Sequence, residues 1–113
     1  HCIWFTNKLR QDDTDIFILE VNAIPASIVR FEIRDEQATI GVAIDKSFRG
    51  KGLGDLFIRM GADEFFKTRD VLVLASIKNS NIASIKSFER AGFELFREEL
   101  VDGVGSIIYQ LKK

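Results

Sequence analysis

The sequence predicts an α/β (α+β) fold in which helices flank a mixed, mostly antiparallel central sheet. A chain of 113 residues fits a single domain, which we place at residues 1–113. Three strand-like segments lie between residues 16 and 45, and from Gly54 onward the apolar residues recur at helical spacing. Further strand-like segments stand before and after a second helical stretch. Strands on both sides of each helix, with a meander first, are typical of this layered architecture.

The N-terminal part is predicted to contain a helix end and three strands. Residues 1–10 suit the end of a helix, with Ile3, Trp4 and Phe5 buried. The strands lie at residues 16–22, 26–34 and 38–45, with turns at residues 23–25 and 35–37. In the second strand, one face carries Ser27, Val29, Phe31 and Ile33, and the other carries Ile28, Arg30, Glu32 and Arg34. Short loops between the three strands predict an antiparallel meander.

The remaining elements alternate between helix and strand. A wide apolar face predicts a helix at residues 54–68 that lies flat on the sheet. The continuous apolar run at residues 71–75 is typical of a central strand covered on both faces. Asn79, Ser80 and Asn81 each offer a side-chain oxygen that can cap a second helix, which buries Phe88 and ends at Gly92. Two last strands follow at residues 93–100 and 106–111, joined around a turn at Asp102-Gly103.

The composition argues against several classes of function. Lys and Arg number 16 against 17 Asp and Glu, which gives no electrostatic case for nucleic acid or an anionic membrane surface. One Cys and one His cannot build a zinc site of the usual kind, so we expect no metal. Cys2 cannot form an intrachain disulfide, and no apolar run reaches the roughly 20 residues of a membrane span. We therefore expect a cytoplasmic protein that binds neither nucleic acid nor membrane.

A glycine-rich turn joins the third strand to the first long helix. It reads Arg49-Gly50-Lys51-Gly52-Leu53-Gly54, and we call it the glycine turn. Glycine lets the backbone adopt positive φ and approach a ligand closely. The helix that follows directs free N–H groups and the positive end of its dipole to the same place. The glycine turn is therefore a candidate site for a pyrophosphate; the alternative is that its glycines only shape the turn.

Other phosphate-binding motifs fit this turn poorly. A Walker loop needs Ser or Thr after its lysine, and Lys51 is followed by glycine. A dinucleotide fingerprint would need Gly or Ala at Asp55 or at Phe57, depending on where it starts.

Two segments resemble motifs of the GNAT acetyltransferases. Arg49-x-x-Gly52-x-Gly54 matches the Q/R-x-x-G-x-G/A motif, placed between a strand and a helix as in that family. Residues 81–93, N-I-A-S-I-K-S-F-E-R-A-G-F, look like the later N-x-x-[AS]-x-x-x-[YF]-x-x-x-G-F element. The resemblance covers residues 16–111 and implies the GNAT fold without its first strand and part of its first helix. We therefore expect an N-terminally truncated fragment of a longer chain.

The resemblance implies acetyl-CoA as the cofactor and direct attack of an amine on its thioester. The backbone around Ile44 would pair with the pantetheine arm. The N–H groups of the glycine turn would hold the pyrophosphate, with Arg49 and Lys51 adding positive charge. Asn81 would lie beside the pantetheine arm, and Phe88 would line the sulfur end of the channel. The alternative for Phe88 is an ordinary core aromatic.

The general acid and the general base each have more than one candidate. Many family members carry Tyr, the usual candidate acid, at the position of Phe88, and phenylalanine cannot donate a proton. Tyr109, the only tyrosine, is a candidate acid or a packed strand residue. Glu32 could accept a proton through water and Arg30 could bind an anionic group, since the two share a strand face. The alternative for these two is a surface ion pair, and Glu20 is a weaker candidate base.

Two short sequence fragments indicate which class of amine accepts the acetyl group. His1-x-x-Trp4-Phe5 and Val29-Arg30-Phe31-Glu32 look similar to GNAT enzymes that acetylate nucleotide-linked amino-sugars in nonulosonic (pseudaminic-type) and surface polysaccharide synthesis. This resemblance implies a small-molecule amine substrate and allows fusion to another biosynthetic domain. The alternatives are a protein N-terminal acetyltransferase of the ribosomal-protein type and a non-catalytic CoA-binding module. The oligomeric state is open, with a homodimer among the alternatives.

Overall fold

The structure is a computed structural model that describes the backbone of residues 3–10 and the whole of residues 13–113. The strands are β1 (Ile3–Arg10), β2 (Thr14–Val21), β3 (Ile24–Arg34), β4 (Gln37–Ile44), β5 (Leu72–Lys78), β6 (Glu94–Val101) and β7 (Val104–Leu111). The helices are α1 (Gly54–Phe66) and α2 (Ile82–Arg90), and a 3₁₀ turn covers Lys46–Phe48. This order confirms the predicted fold class.

The first element differs from the prediction. Ile3–Arg10 forms a strand that pairs antiparallel with β2, so the helix end predicted at residues 1–10 is wrong over that range. A short apolar run does not distinguish strand from helix by periodicity alone, and here the pairing with β2 decides. The predicted burial of Ile3, Trp4 and Phe5 lies outside the described residues.

Two-residue turns join the strands of the meander. Asn22 and Ala23 have φ of 52° and 66°, and Asp35 and Glu36 have φ of 51° and 65°. Two successive residues with positive φ are typical of type I′ turns, whose twist matches that of the flanking strands. The first turn therefore precedes β3, and the Ile24-Pro25 part of the predicted turn at residues 23–25 belongs to that strand instead.

The sheet opens between two of its central strands. In the described chain, seven strands form one sheet in the order β1-β2-β3-β4-β5-β7-β6. Every neighbouring pair is antiparallel except β4 with β5. This parallel pairing joins only residues 37–39 with residues 72–74. Beyond Thr39 and Leu74 the ladder between these strands stops, which leaves a gap beside the end of β4.

Both described helices lie against the same face of the sheet. Phe65 of α1 stacks on Phe31 of β3 with ring centroids 4.2 Å apart. Tyr109 of β7 donates a hydrogen bond to Glu89 of α2. The strand register puts Phe31 and Tyr109 on one side of the sheet, so the core lies between this side and the helices. Neither α1 nor α2 is long and apolar enough to cross a membrane.

No helix of residues 13–113 covers the other side of the sheet, which we call the open face. From β2 to β5 it carries Ile16, Ile18, Ile28, Arg30, Glu32, Thr39, Gly41, Ala43, Leu74 and Ser76. The alternation predicted for residues 26–34 is confirmed, since Ser27, Val29 and Phe31 are buried on the opposite side. The prediction that residues 71–75 are covered on both faces is wrong, because Leu74 is only half-buried.

A buried ion pair ties the loop after α1 to the sheet. Asp15 of β2 is fully buried. It accepts hydrogen bonds from Nε and Nη2 of Arg69, each 3.2 Å long. A bidentate pair of this kind has a fixed geometry, so it fixes the path of the chain between α1 and β5. The sequence pattern gave no sign of this long-range contact.

Candidate functional site

The gap between β4 and β5 continues into a groove of about 970 Å³. The end of β4, the glycine turn and the groove-facing sides of α1 and α2 line it. Eight of the predicted cofactor-binding residues are among the lining residues: Ile44, Arg49, Gly50, Gly52, Leu53, Gly54, Asn81 and Phe88. Lys51 belongs to the same turn, with its Nζ 5.9 Å from the ring centre of Phe48. The fold therefore brings both sequence motifs to one groove.

β4 presents an unpaired edge to this groove. The N–H of Asp45 donates to the carbonyl of Ala26 in β3. Because backbone groups alternate along an antiparallel ladder, Val42 and Ile44 turn theirs away from β3 and toward the gap. The Ile44 carbonyl accepts a hydrogen bond of 2.9 Å from Nε of Arg49. The backbone groups that face the groove without a partner in the ladder are therefore the Ile44 N–H and the N–H and carbonyl of Val42. The sequence analysis did not identify Val42, because only the pairing of β3 with β4 shows which way its backbone groups point.

The glycine turn has the backbone geometry of an anion site. Gly50 and Gly52 have φ of 72° and 71°, in the region that side-chain-bearing residues rarely adopt. A Cβ at either position would meet no atom within 4 Å, so the space beside both residues is open. The first N–H groups of α1, which begins at Gly54, have no intrahelical acceptor. A ligand can therefore approach this backbone closely.

Gly54 allows the two helices to meet at the groove. A Cβ at Gly54 would lie 2.9 Å from Oγ of Ser87 and 3.5 Å from its Cβ. The start of α1 therefore packs directly against the middle of α2. This contact fixes the distance between the glycine turn and the groove-facing side of α2.

Two residues of the second motif serve the fold as well as the groove. The side-chain oxygen of Asn81 accepts a hydrogen bond of 3.1 Å from the N–H of Ser84 and so caps α2. Phe88 is buried, and its ring lies edge-on to that of Phe93 at 5.0 Å. Both residues still line the groove, so the cofactor-channel and core interpretations of Phe88 are compatible.

The groove carries positive charge. Among the described residues that line it, Arg49, Lys86 and Arg90 are cationic, and none is Asp or Glu. The nearby Asp45 carboxylate accepts hydrogen bonds from the side chain and the N–H of Ser47. These bonds, with a smaller contribution from the charge of Arg49, lower the pKa of Asp45. The groove therefore suits an anionic ligand.

The sequence-family comparison decides between the folds that bind phosphate at such a turn. A profile of the acetyltransferase (GNAT) family matches residues 2–93, most of the chain. The chain belongs to this family. It is therefore an acetyl-CoA-dependent N-acetyltransferase, as its two motifs implied. No protein of curated function matches the sequence significantly.

Solved acetyltransferase structures share the fold. Aminoglycoside acetyltransferase AAC(6')-Ib in complex with coenzyme A is 18% identical with a TM-score of 0.77, and the match covers 91% of this chain and 68% of that one. Campylobacter jejuni N-acetyltransferase PseH in complex with acetyl coenzyme A is 14% identical with a TM-score of 0.74, covering 91% and 70%. The ribosomal-protein-S18-alanine N-acetyltransferase from Escherichia coli is 25% identical with a TM-score of 0.73, covering 91% and 71%.

The groove of this GNAT chain fits acetyl-CoA. The open space beside Gly50 and Gly52 admits a pyrophosphate against the backbone. The free edge of β4 at Val42 and Ile44 offers hydrogen bonds to an amide-containing arm. Cationic side chains around the groove match the phosphate charge.

Tyr109 is not among the residues that line the groove. It is buried on β7, and its hydroxyl donates a hydrogen bond of 3.0 Å to Oε2 of Glu89. Burial, and to a smaller extent the bond to Glu89 and its charge, raise the pKa of Tyr109 above its usual value. The hydroxyl proton is therefore held more tightly than in a free tyrosine.

Arg30 and Glu32 lie together on the open face. Nη2 of Arg30 forms an ion pair with Oε1 of Glu32, and the two side chains are 55% and 41% exposed. In the register of the sheet, Glu32 lies opposite Thr39, which pairs in turn with Leu74. This row marks the point where the sheet opens. The weaker candidate base, Glu20, lies on β2, next to the edge strand of the described sheet. The side chains of the fragment His1-x-x-Trp4-Phe5, and that of Cys2, lie outside the described residues.

Proposed function

We propose that this acetyltransferase acetylates the primary amine of a nucleotide-linked amino-sugar, which approaches the gap between β4 and β5 from the open face. The observation that carries the proposal is the row Glu32, Thr39 and Leu74, where the β4–β5 ladder ends. A carboxylate and the cation of Arg30 therefore stand beside the opening, on the side of the sheet away from the helices.

The groove side of the gap would hold the cofactor. Backbone N–H groups of the glycine turn bind the pyrophosphate, and Val42 and Ile44 orient the pantetheine arm by backbone hydrogen bonds. Asn81 and Phe88 line the channel beyond them. When bound, acetyl-CoA supplies the thioester carbonyl that the amine attacks. Holding the two reactants in line is the main contribution that this chain makes to the rate.

The open face would supply the proton acceptor. A primary amine must lose a proton to become a nucleophile, and Glu32 accepts that proton through water. Arg30 binds an anionic group of the acceptor, for which a nucleotide diphosphate is the natural partner. When the substrate binds, Arg30 would leave its ion pair with Glu32 and bind the substrate phosphate instead, which leaves Glu32 available to accept the proton.

The leaving thiolate would receive its proton from water. Phe88 has no proton to give, and Tyr109 donates its hydroxyl hydrogen to Glu89 and has a raised pKa. We therefore assign Tyr109 to holding α2 against β7 rather than to acid catalysis.

A panel of acceptors tests the substrate class. It comprises a nucleotide-linked amino-sugar, the same sugar without the nucleotide, spermidine, and a peptide with an N-terminal alanine. We expect the highest kcat/KM for the nucleotide-linked sugar and a loss of at least roughly tenfold for the free sugar, because the Arg30–phosphate contact is then missing. A preference for the peptide would favour the ribosomal-protein type of enzyme. Tight acetyl-CoA binding without turnover of any amine would favour a non-catalytic module.

We expect Glu32→Gln to lower kcat by about 100-fold, the lower end of general acid–base catalysis, because the amide cannot accept a proton. The KM for acetyl-CoA should stay unchanged, because Glu32 lies on the open face and not among the residues that line the groove. Glu98→Gln, on the exposed strand β6, is the matched control and should retain full activity. A fully active Glu32→Gln enzyme would reduce Arg30 and Glu32 to a surface ion pair, and Glu20→Gln would then be the next variant to measure.

A further inference from the structure

We propose that Lys86 and Arg90 of α2 form a second anion site in the groove, which binds the 3′-phosphate of CoA. The enzyme would then distinguish CoA from 3′-dephospho-CoA. This inference rests on the proposed placement of the pyrophosphate at the glycine turn.

The two cations lie on the groove side of one helix. Lys86 and Arg90 are four residues apart, so they are neighbours along the same face of α2. Both side chains are exposed, and both line the groove. They therefore both border the part of the groove that α2 lines.

Nothing in the described chain neutralises this pair of charges. Neither Lys86 nor Arg90 forms an ion pair or a side-chain hydrogen bond within residues 13–113. Like charges four residues apart destabilise a helix. The single acidic residue of α2, Glu89, accepts the hydrogen bond from Tyr109 instead. An anion bound in the groove would remove the repulsion.

The position of Lys86 and Arg90 indicates which phosphate of CoA they would bind. Gly54 at the end of the glycine turn abuts Ser87, the residue after Lys86. The second site is therefore next to the first, but on a different helix. CoA carries a pyrophosphate and, on the ribose of the same nucleotide, a 3′-phosphomonoester. Backbone N–H groups suit the pyrophosphate, whereas the doubly charged monoester suits two side-chain cations.

Isothermal titration with CoA and with 3′-dephospho-CoA tests the assignment. We expect the unmodified enzyme to bind CoA roughly tenfold to 100-fold more tightly than the dephosphorylated form, the range for charge-assisted hydrogen bonds. In Lys86→Ala and Arg90→Ala this ratio should fall toward one, through weaker binding of CoA and not of dephospho-CoA. The preference should also weaken with rising salt, because both cations are exposed.

Lys112→Ala is the matched control, since it removes one exposed positive charge outside the groove and should leave the ratio unchanged. Equal losses for both ligands in Lys86→Ala and Arg90→Ala would overturn the proposal, because the cations would then contact the pyrophosphate. Equal affinities of the unmodified enzyme for the two ligands would overturn it as well. If neither ligand binds a folded enzyme, the proposed cofactor site itself fails, and the second site fails with it.

Discussion

Gly52→Asp should weaken acetyl-CoA binding by roughly 1000-fold or more. The Cβ of residue 52 would extend into open groove space, since no atom lies within 4 Å of it. Its carboxylate would then stand where the pyrophosphate must approach. A like charge at about 4 Å near a protein surface costs about 4 kcal/mol, or roughly 1000-fold in affinity. The measurement is isothermal titration with acetyl-CoA, with circular dichroism to show that the variant is folded.

Gly103→Asp separates this electrostatic effect from backbone strain. Gly103 has φ of 78°, close to that of Gly52, and a Cβ there also meets nothing within 4 Å. It lies in the β6–β7 turn, outside the groove. We expect Gly103→Asp to cost stability similar to Gly52→Asp and to bind acetyl-CoA normally. If a folded Gly52→Asp enzyme kept its affinity, the pyrophosphate could not lie at the glycine turn.

Local chemistry made much of the groove predictable from the sequence. Positive φ at Gly50 and Gly52 follows from the turn that must connect a strand to a helix, and glycine is the residue that tolerates it. A cap for α2 follows from the side-chain oxygens of Asn79, Ser80 and Asn81 at the start of a helical stretch, and the structure uses Asn81. Both features depend on residues close together in the chain, so one sequence is enough to find them.

Features that depend on distant residues were not predictable in this way. β1 is a strand because β2 pairs with it, and its own residues carry no decisive period. The short β4–β5 ladder opens the sheet through the register of strands more than 30 residues apart. The bond from Tyr109 to Glu89 and the ion pair of Asp15 with Arg69 join elements that only the finished fold brings together.

Gly61→Ala should lower the free energy of unfolding by about 3 kcal/mol, at the upper end of the cost of overpacking a core. Gly61 faces Val29 of β3, and a Cβ there would lie 2.7 Å from Cγ1, 2.9 Å from Cβ and 3.1 Å from Cγ2 of that side chain. Val29 is fully buried and β-branched, so rotation about its χ1 is restricted and cannot move its Cβ out of contact. Urea denaturation measures the loss. Gly41→Ala, where a new Cβ meets nothing within 4 Å, is the matched control and should not destabilise the protein.

Val29→Ala supplies the second test of this contact, because it removes both Cγ atoms and leaves only the Cβ at 2.9 Å. The double variant should lose less stability than the two single variants together, with a coupling of about 1–2 kcal/mol. Additive losses would mean that α1 does not pack on β3 at this point.

The contact between Gly61 and Val29 also affects function, because α1 begins at Gly54, where it meets Ser87 at the groove. If Gly61→Ala lifts α1 from the sheet, the glycine turn moves with it, so acetyl-CoA affinity should fall in that variant and partly return in the double variant.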